Sequence, residues 1–163
     1  MAHRQESVIV VGVDGSIESQ AALVFALREG ARRGGTVEVV TAWTFDGSDG
    51  LLAPRSPEQA RQLAERLQGE AVSGALGQVK APPMLSRRVV ESAVGPALRH
   101  AARHANYLVV GTTRKNIARR TLLGSVSEHL VRRASVPVLV VPASVGRGEP
   151  VQGEQIGKVS ARV

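Results

Sequence analysis

The chain has 163 residues, of which 43% are hydrophobic, and its formal net charge is +7 because 21 Lys and Arg outnumber 14 Asp and Glu. This length predicts one domain with a sizeable core. The absence of cysteine excludes disulfides, cysteine-based zinc sites and thiol nucleophiles. The positive charge favours anionic partners such as nucleotides, nucleic acid or acidic lipid, and it also fits a role in solubility alone.

Five apolar runs are typical of β-strands. The first, VIVVGV, is continuous and β-branched, as expected of a strand buried on both faces of a parallel sheet. The third, LSRRVV, carries paired arginines, which predicts a partly exposed strand. The runs lie at residues 8–13, 37–43, 85–90, 107–111 and 136–141.

Apolar residues at helical spacing fill the segments between these runs. One helix is predicted to begin at a capping box, Ser56-Pro57-Glu58-Gln59, with proline in its first turn. The strand–helix alternation predicts an α/β fold, namely a three-layer α/β/α open sheet of five mainly parallel strands. The predicted helices span residues 17–33, 57–75, 96–105 and 125–134.

The ends of the chain lead to expectations about domains and location. We expect one domain over residues 1–142 and an extended or mobile tail over 143–163. The first apolar run is too short for a signal peptide or a membrane span. We therefore expect a soluble, cytoplasmic protein that does not enter a membrane.

In an open α/β sheet, ligands bind beyond the carboxyl ends of the strands, where the strand order reverses. Asp14, Ala42 and Gly111 are predicted to lie at such ends. Asp14 has two interpretations that stay open. Its carboxylate can accept a hydrogen bond from a ligand, or it can stabilise the turn Asp-Gly-Ser before the first helix.

The segment GSVSE at residues 124–128 also has two interpretations. Ser125 followed by Glu128 forms the pattern of a capping box for the last helix. The free N–H groups of the same helix N-terminus can instead hold an anion such as phosphate.

Several catalytic and cofactor motifs are absent. The sequence contains no GxxxxGK[ST], no GxGxxG after the first strand and no Gly-x-Ser-x-Gly, which argues against P-loop, dinucleotide-binding and serine hydrolase chemistry. His100 and His104 have a spacing that suits a metal, but no third ligand accompanies them in the sequence. No metal site and no catalytic residues are predicted.

Four motifs in order resemble the universal stress protein family over about residues 7–142. They are VDGS at 13–16, VGPA at 94–97, the glycine-containing stretch 111–127 and SVPVLVVP at 135–142. ATP-binding members of that family carry Gly-x2-Gly-x9-Gly-[Ser/Thr]. Gly111, Gly124 and Ser125 match this pattern, whereas Arg114 stands at its second glycine. The arginine either blocks the pocket or binds phosphate bidentately.

The resemblance implies the strand order 3-2-1-4-5 and a regulatory protein of the stress response that binds ATP or AMP, with or without Mg²⁺, and acts on an unknown protein partner. It also implies a homodimer formed through the last strand, from Val136 to Val141, and at most very slow ATP hydrolysis. The nucleotide-binding residues that it implies are Val13, Asp14, Ala42, Val110, Gly111, Arg114, Gly124, Ser125, Val126 and Ser127.

Two other functions remain open at this point. The first is a dimeric stress scaffold that has lost nucleotide binding. The second is nucleic-acid binding, because clustered cations supply phosphate affinity, although the chain has few aromatic residues for base stacking. The residues for this second function are Arg114, Lys115, Arg119, Arg120, Arg132 and Arg133.

Overall fold

The computed structural model describes residues 7–47, 53–112 and 125–143. Five strands and four helices alternate along these ranges. The strands are β1 (Val8–Gly12), β2 (Thr36–Trp43), β3 (Met84–Glu91), β4 (Tyr107–Thr112) and β5 (Val138–Pro142). The helices are α1 (Ile17–Arg33), α2 (Pro57–Leu76), α3 (Val94–Ala101) and α4 (Ser125–Arg133), and a 3-10 turn, Ala102–His104, follows α3.

The five strands form one sheet in the order β3-β2-β1-β4-β5, and all four neighbouring pairs are parallel. This confirms the predicted fold class and the strand order. The chain leaves β1 toward β2 on one side and later returns to β4 on the other. The order therefore reverses beside β1, and this opens a crevice at the carboxyl ends of β1 and β4.

Each face of the sheet is covered by two helices. Ile9 and Val11 of β1 point into a core shared with α1 and α2, whereas Val10 packs with Leu98 of α3 and Leu130 of α4. Because successive side chains of a strand alternate between faces, a strand covered on both sides must be apolar at nearly every position. This explains the unbroken run VIVV.

The two edge strands differ in character. β3 is largely exposed, as its arginines predicted, while β5 presents half-buried valine and leucine side chains at the other edge. β5 begins at Val138, two residues later than expected. Pro137 precedes it, and proline cannot donate an N–H to the ladder.

The structure shows how two of the predicted helices begin. Ser56 caps α2 as expected, since its hydroxyl accepts from Gln59 N at 3.2 Å, and the Gln59 side chain accepts from Arg55 N rather than from Ser56. Helix α4 begins at Ser125, and the Glu128 carboxylate accepts from Arg132 at 3.1 Å.

The end of β4 lies directly against the first turn of α1. A Cβ added at Gly111 would lie 2.3 Å from the carbonyl carbon and oxygen of Glu18 and 2.8 Å from Ser19 N. These are backbone atoms, which cannot turn aside as a side chain can. Gly111 is therefore required by packing, whatever else it contacts.

We predict that Gly111→Ala lowers the free energy of unfolding by about 1–3 kcal/mol or more, the usual cost of overpacking. Urea unfolding followed by the fluorescence of Trp43, the single tryptophan, measures this. Gly69→Ala in α2 is the control, because its Cβ would meet only the Arg87 guanidinium at 3.5 Å and alanine favours helix. A Gly111→Ala stability equal to that of the wild type would contradict the packing argument.

Candidate functional site

A cavity of about 140 Å³ lies at the carboxyl ends of β1, β2 and β4, where the strand order predicts a ligand site. It brings together six of the residues implied by the family resemblance: Val13, Asp14, Ala42, Val110, Gly111 and Val126. It adds six that are not among the nucleotide-binding residues that the resemblance implies: Gly12, Ser16, Ser19, Val40, Val94 and Leu98.

The walls of this cavity are mostly apolar. Val40 and Val110 of the sheet and Leu98 of α3 belong to one buried cluster. Gly12 provides room for Leu98, because a Cβ at residue 12 would lie 2.8 Å from Leu98 Cδ1. The result is a slot between sheet and helix, which suits a flat, largely apolar group.

One carboxylate stands at the rim of the slot. Asp14 Oδ1 accepts from Ser16 N at 3.0 Å and from Ser16 Oγ at 2.6 Å. The Ser16 hydroxyl in turn accepts from Ser19 N and so caps α1. Both bonds from Ser16 to the carboxylate use Oδ1. Asp14 thus stabilises the turn at the edge of the cavity.

Burial raises the pKa of Asp14, but the hydrogen bonds from the side chain and backbone of Ser16 and from Ser19 outweigh it, so the pKa is lowered from its ordinary value. The group is therefore ionised at neutral pH and only accepts hydrogen bonds. Such a group suits a ligand hydroxyl or amine, and it is poorly suited to act as a general base.

A buried polar network, which the sequence analysis missed, holds the floor of the cavity. The Thr41 hydroxyl donates to Val13 O at 2.8 Å, and Gln68 Nε2 lies 3.1 Å from the Thr41 oxygen and 2.9 Å from Arg88 O. Val13 N donates to Val40 O. The strand ends of β1, β2 and β3 are thereby tied to α2. The signal was present, since Gln68 lies on the apolar stripe of α2, four residues after Ala64.

The first three residues of α4 differ in whether they line the cavity. Val126 lines the cavity, Ser125 is exposed and does not line it, and Ser127 is buried with its hydroxyl 3.4 Å from Gly111 O. Ser127 therefore ties α4 to the end of β4. Arg114 and Gly124 lie outside the described residues.

The described ranges contain neither a cluster of metal ligands nor a membrane-spanning helix. No group of three or more His, Cys, Asp or Glu side chains gathers there as a metal site would require. Among the helices of the same ranges, none is both long and apolar enough to cross a membrane.

Comparison with known proteins gives one consistent family. The universal stress protein family model matches residues 7–142. A universal stress protein of Mycobacterium tuberculosis H37Rv is 33% identical over 150 residues, which are 89% of this chain and 48% of that protein. One of Mycolicibacterium smegmatis is 34% identical over 146 residues, 86% of this chain and 47% of that protein. The chain spans about half the length of these curated relatives.

Solved structures agree on the fold. A universal stress protein in complex with cAMP superposes with a TM-score of 0.63 at 27% identity, covering 83% of this chain and 96% of that one. A family protein from Burkholderia pseudomallei gives 0.60 at 27% identity with the same coverage. One from Archaeoglobus fulgidus in complex with dAMP gives 0.61 at 20% identity, covering 85% and 99%, and supports the fold alone.

The lowered pKa of Asp14 leads to a prediction. A carboxyl whose pKa is lower in the folded state stabilises the protein above the unfolded pKa, and this contribution is lost as the pH falls through the folded pKa. Asp14→Ala should therefore cost about 1 kcal/mol at neutral pH, and the difference from the wild type should shrink below about pH 4. Urea unfolding across this pH range measures it.

Asp14→Asn is the matched control, because its amide oxygen can still accept from Ser16 but carries no charge. We expect it to keep most of the stability and to lose the pH dependence. A difference between wild type and Asp14→Ala that stays constant from neutral to acidic pH would contradict the role of the carboxylate.

Proposed function

The chain belongs to the universal stress protein family, and we propose that it binds an adenine nucleotide in the cavity at the ends of β1, β2 and β4. The observation that carries the proposal is the pairing of an apolar slot with the ionised Asp14 at a switch point of the sheet. In this role it serves as a nucleotide-dependent regulator in the stress response.

Different residues would contact the base, the sugar and the phosphates of the nucleotide. The base lies in the slot between Ala42, Val110 and Leu98, and Asp14 Oδ2 accepts from a sugar hydroxyl or an amino group. The cavity of about 140 Å³ is smaller than the ~300–1,000 Å³ of a typical ligand site. The described residues therefore enclose the base end of the ligand.

The phosphates would extend from Gly111 and Val126 toward the N-terminus of α4, whose free N–H groups suit an anion. Ser125 would meet them there, and the family resemblance adds Gly124 and Arg114 to the residues proposed for binding. Asp14 is the one carboxylate that lines the cavity among the described residues. Because Asp14 faces the base and sugar in this arrangement, a Mg²⁺ ion that accompanies ATP would be held by phosphate oxygens and water.

A relative supports the choice of an adenine nucleotide. The protein solved with cAMP shares 27% identity and covers 83% of this chain. We propose ATP as the first ligand to test and AMP as the second. We further propose that the chain binds without appreciable turnover, because the ionised, hydrogen-bonded Asp14 has no evident role as a base.

Two valines of α4 make a matched test of the site. Val126 lines the cavity and is 39% exposed, whereas Val131 is 50% exposed on the same helix and does not line it. Val126→Trp should fill the mouth of the slot, and Val131→Trp should leave it open. Unfolding with and without ATP or AMP provides the readout. A ligand at one hundred times its dissociation constant stabilises the folded state by about 2.7 kcal/mol.

We expect this stabilisation in the wild type and in Val131→Trp, and its loss in Val126→Trp. Equal stabilisation of both variants would place the ligand elsewhere. No stabilisation of any of the three proteins by either nucleotide would contradict the proposal and favour a scaffold that has lost nucleotide binding.

We also propose a homodimer formed through β5. Pro137 O accepts from Leu108 N of β4, so alternation along the strand turns the N–H groups of Val138 and Val140 toward the free edge. An apolar edge strand of this kind readily pairs with a second copy. Pro142 has no N–H, which limits the pairing to these two donors.

Val140→Pro should shift the dimer toward monomer, since it removes an outward N–H and leaves the bonds to β4 in place. Val140→Thr keeps the N–H and is the control. Light scattering across a range of protein concentrations measures the molar mass. A wild type that is monomeric throughout, or a Val140→Pro protein that dimerises like the control, would contradict the proposal.

A further inference from the structure

A second cavity, of about 530 Å³, lies beside α3 on the face of the sheet that is covered by α3 and α4. We call it the basic pocket. Its arginines come from β3, α3, the turn after α3 and the end of α4. They are Arg88, Arg99, Arg103 and Arg133, and His100 of α3 lies beside them. None of the described residues that line it is acidic.

Most of this charge is not compensated by the described part of the protein. Arg88 pairs with Glu38 at 2.8 Å, but Arg99, Arg103 and Arg133 form no ion pair with any residue that the structure describes. Surface arginines without partners are common. Three of them around one concave space, however, raise the local positive potential and attract a polyanion.

The guanidinium of Arg99 provides an independent indication of a ligand. Its Nε is buried and has no hydrogen-bond partner among the described residues, although Arg99 lines the pocket. A buried donor that lacks an acceptor is costly and rare in proteins. A bound anion would supply the missing acceptor.

The pocket has the size and lining of a small-molecule site. Its volume lies within the ~300–1,000 Å³ that ligand cavities occupy. Val90 and Ala97 contribute apolar surface, and Ser92 and Ser135 contribute hydroxyls. Among the described residues, none lines both the pocket and the cavity at the strand ends. Helix α3 separates the two, with Val94 and Leu98 lining one and Arg99 and His100 lining the other.

We propose that the basic pocket binds a small anion that carries two or more phosphate groups, at a site distinct from that of the adenine nucleotide. Arginine forks match the geometry of phosphate oxygens and bind them bidentately. Nucleic acid fits less well, because the site is a concavity rather than an extended track and has no aromatic side chain in its described lining for base stacking.

Tripolyphosphate is the probe, and calorimetric titration at about 150 mM salt is the measurement. The test variant is Arg103→Gln/Arg133→Gln, since both residues are exposed and should tolerate substitution. Arg28→Gln/Arg66→Gln is the control. It removes the same charge from exposed positions of α1 and α2, which pack on the opposite face of the sheet. Arg99→Gln tests the buried donor.

We expect tripolyphosphate to bind the wild type and the control alike, and to bind the pocket variants at least about tenfold more weakly, because each lost contact is a charge-assisted hydrogen bond. Val126→Trp should leave this binding unchanged, since its substitution lies in the other cavity. The titration with tripolyphosphate thus tests the basic pocket independently of nucleotide binding.

Four outcomes would overturn the proposal. They are no binding to the wild type, equal weakening in the pocket variant and the control, loss of tripolyphosphate binding in Val126→Trp, and tighter binding of a single-stranded oligonucleotide that the pocket variant abolishes. The second would indicate general charge attraction, the third would place the anion in the nucleotide cavity, and the fourth would identify nucleic acid as the ligand.

Discussion

The close contact between the end of β4 and the first turn of α1 is the constraint on which the candidate site depends. Backbone atoms of Glu18 occupy the space where a side chain at residue 111 would lie. This approach brings Gly111 beside the turn that holds Asp14 and Ser16. Without it, the slot would lose one wall. The same glycine therefore serves the packing of the fold and the shape of the site.

The fold followed from the sequence, and half of the described residues that line the cavity are ones that the family resemblance implied. Alternating apolar runs and helical spacing predicted the layers because burial on two faces leaves a strong pattern, as VIVV shows. The position of Asp14 followed because carboxyl ends of parallel strands share one edge of the sheet. The turn Asp-Gly-Ser and the helix cap at Ser56 involve only residues that are close in the chain. Such features can therefore be predicted directly from the sequence.

The buried network around Gln68, the packing of Gly111 and the basic pocket depend on contacts between distant segments. A single sequence does not reveal such contacts. The sequence analysis did not single out Gln68, yet this side chain is 1% exposed and lies against β2 and β3. Gly111 was interpreted through its ligand and not through α1. The basic pocket gathers arginines separated by up to 45 positions, from Arg88 to Arg133, and no periodicity marks such a set. Of the two described members of the basic cluster that the sequence suggested, Arg132 and Arg133, Arg133 lines it.

The central claim is that the slot beside Asp14 holds the base and sugar of an adenine nucleotide. The most direct measurement is an amide NMR titration of the isotopically labelled chain with AMP. The account predicts saturable shifts of Asp14, Ala42 and Gly111 and none at Arg28 or Arg66 on α1 and α2. Saturable binding that leaves the amides of the slot unmoved, or no binding at all, would contradict it.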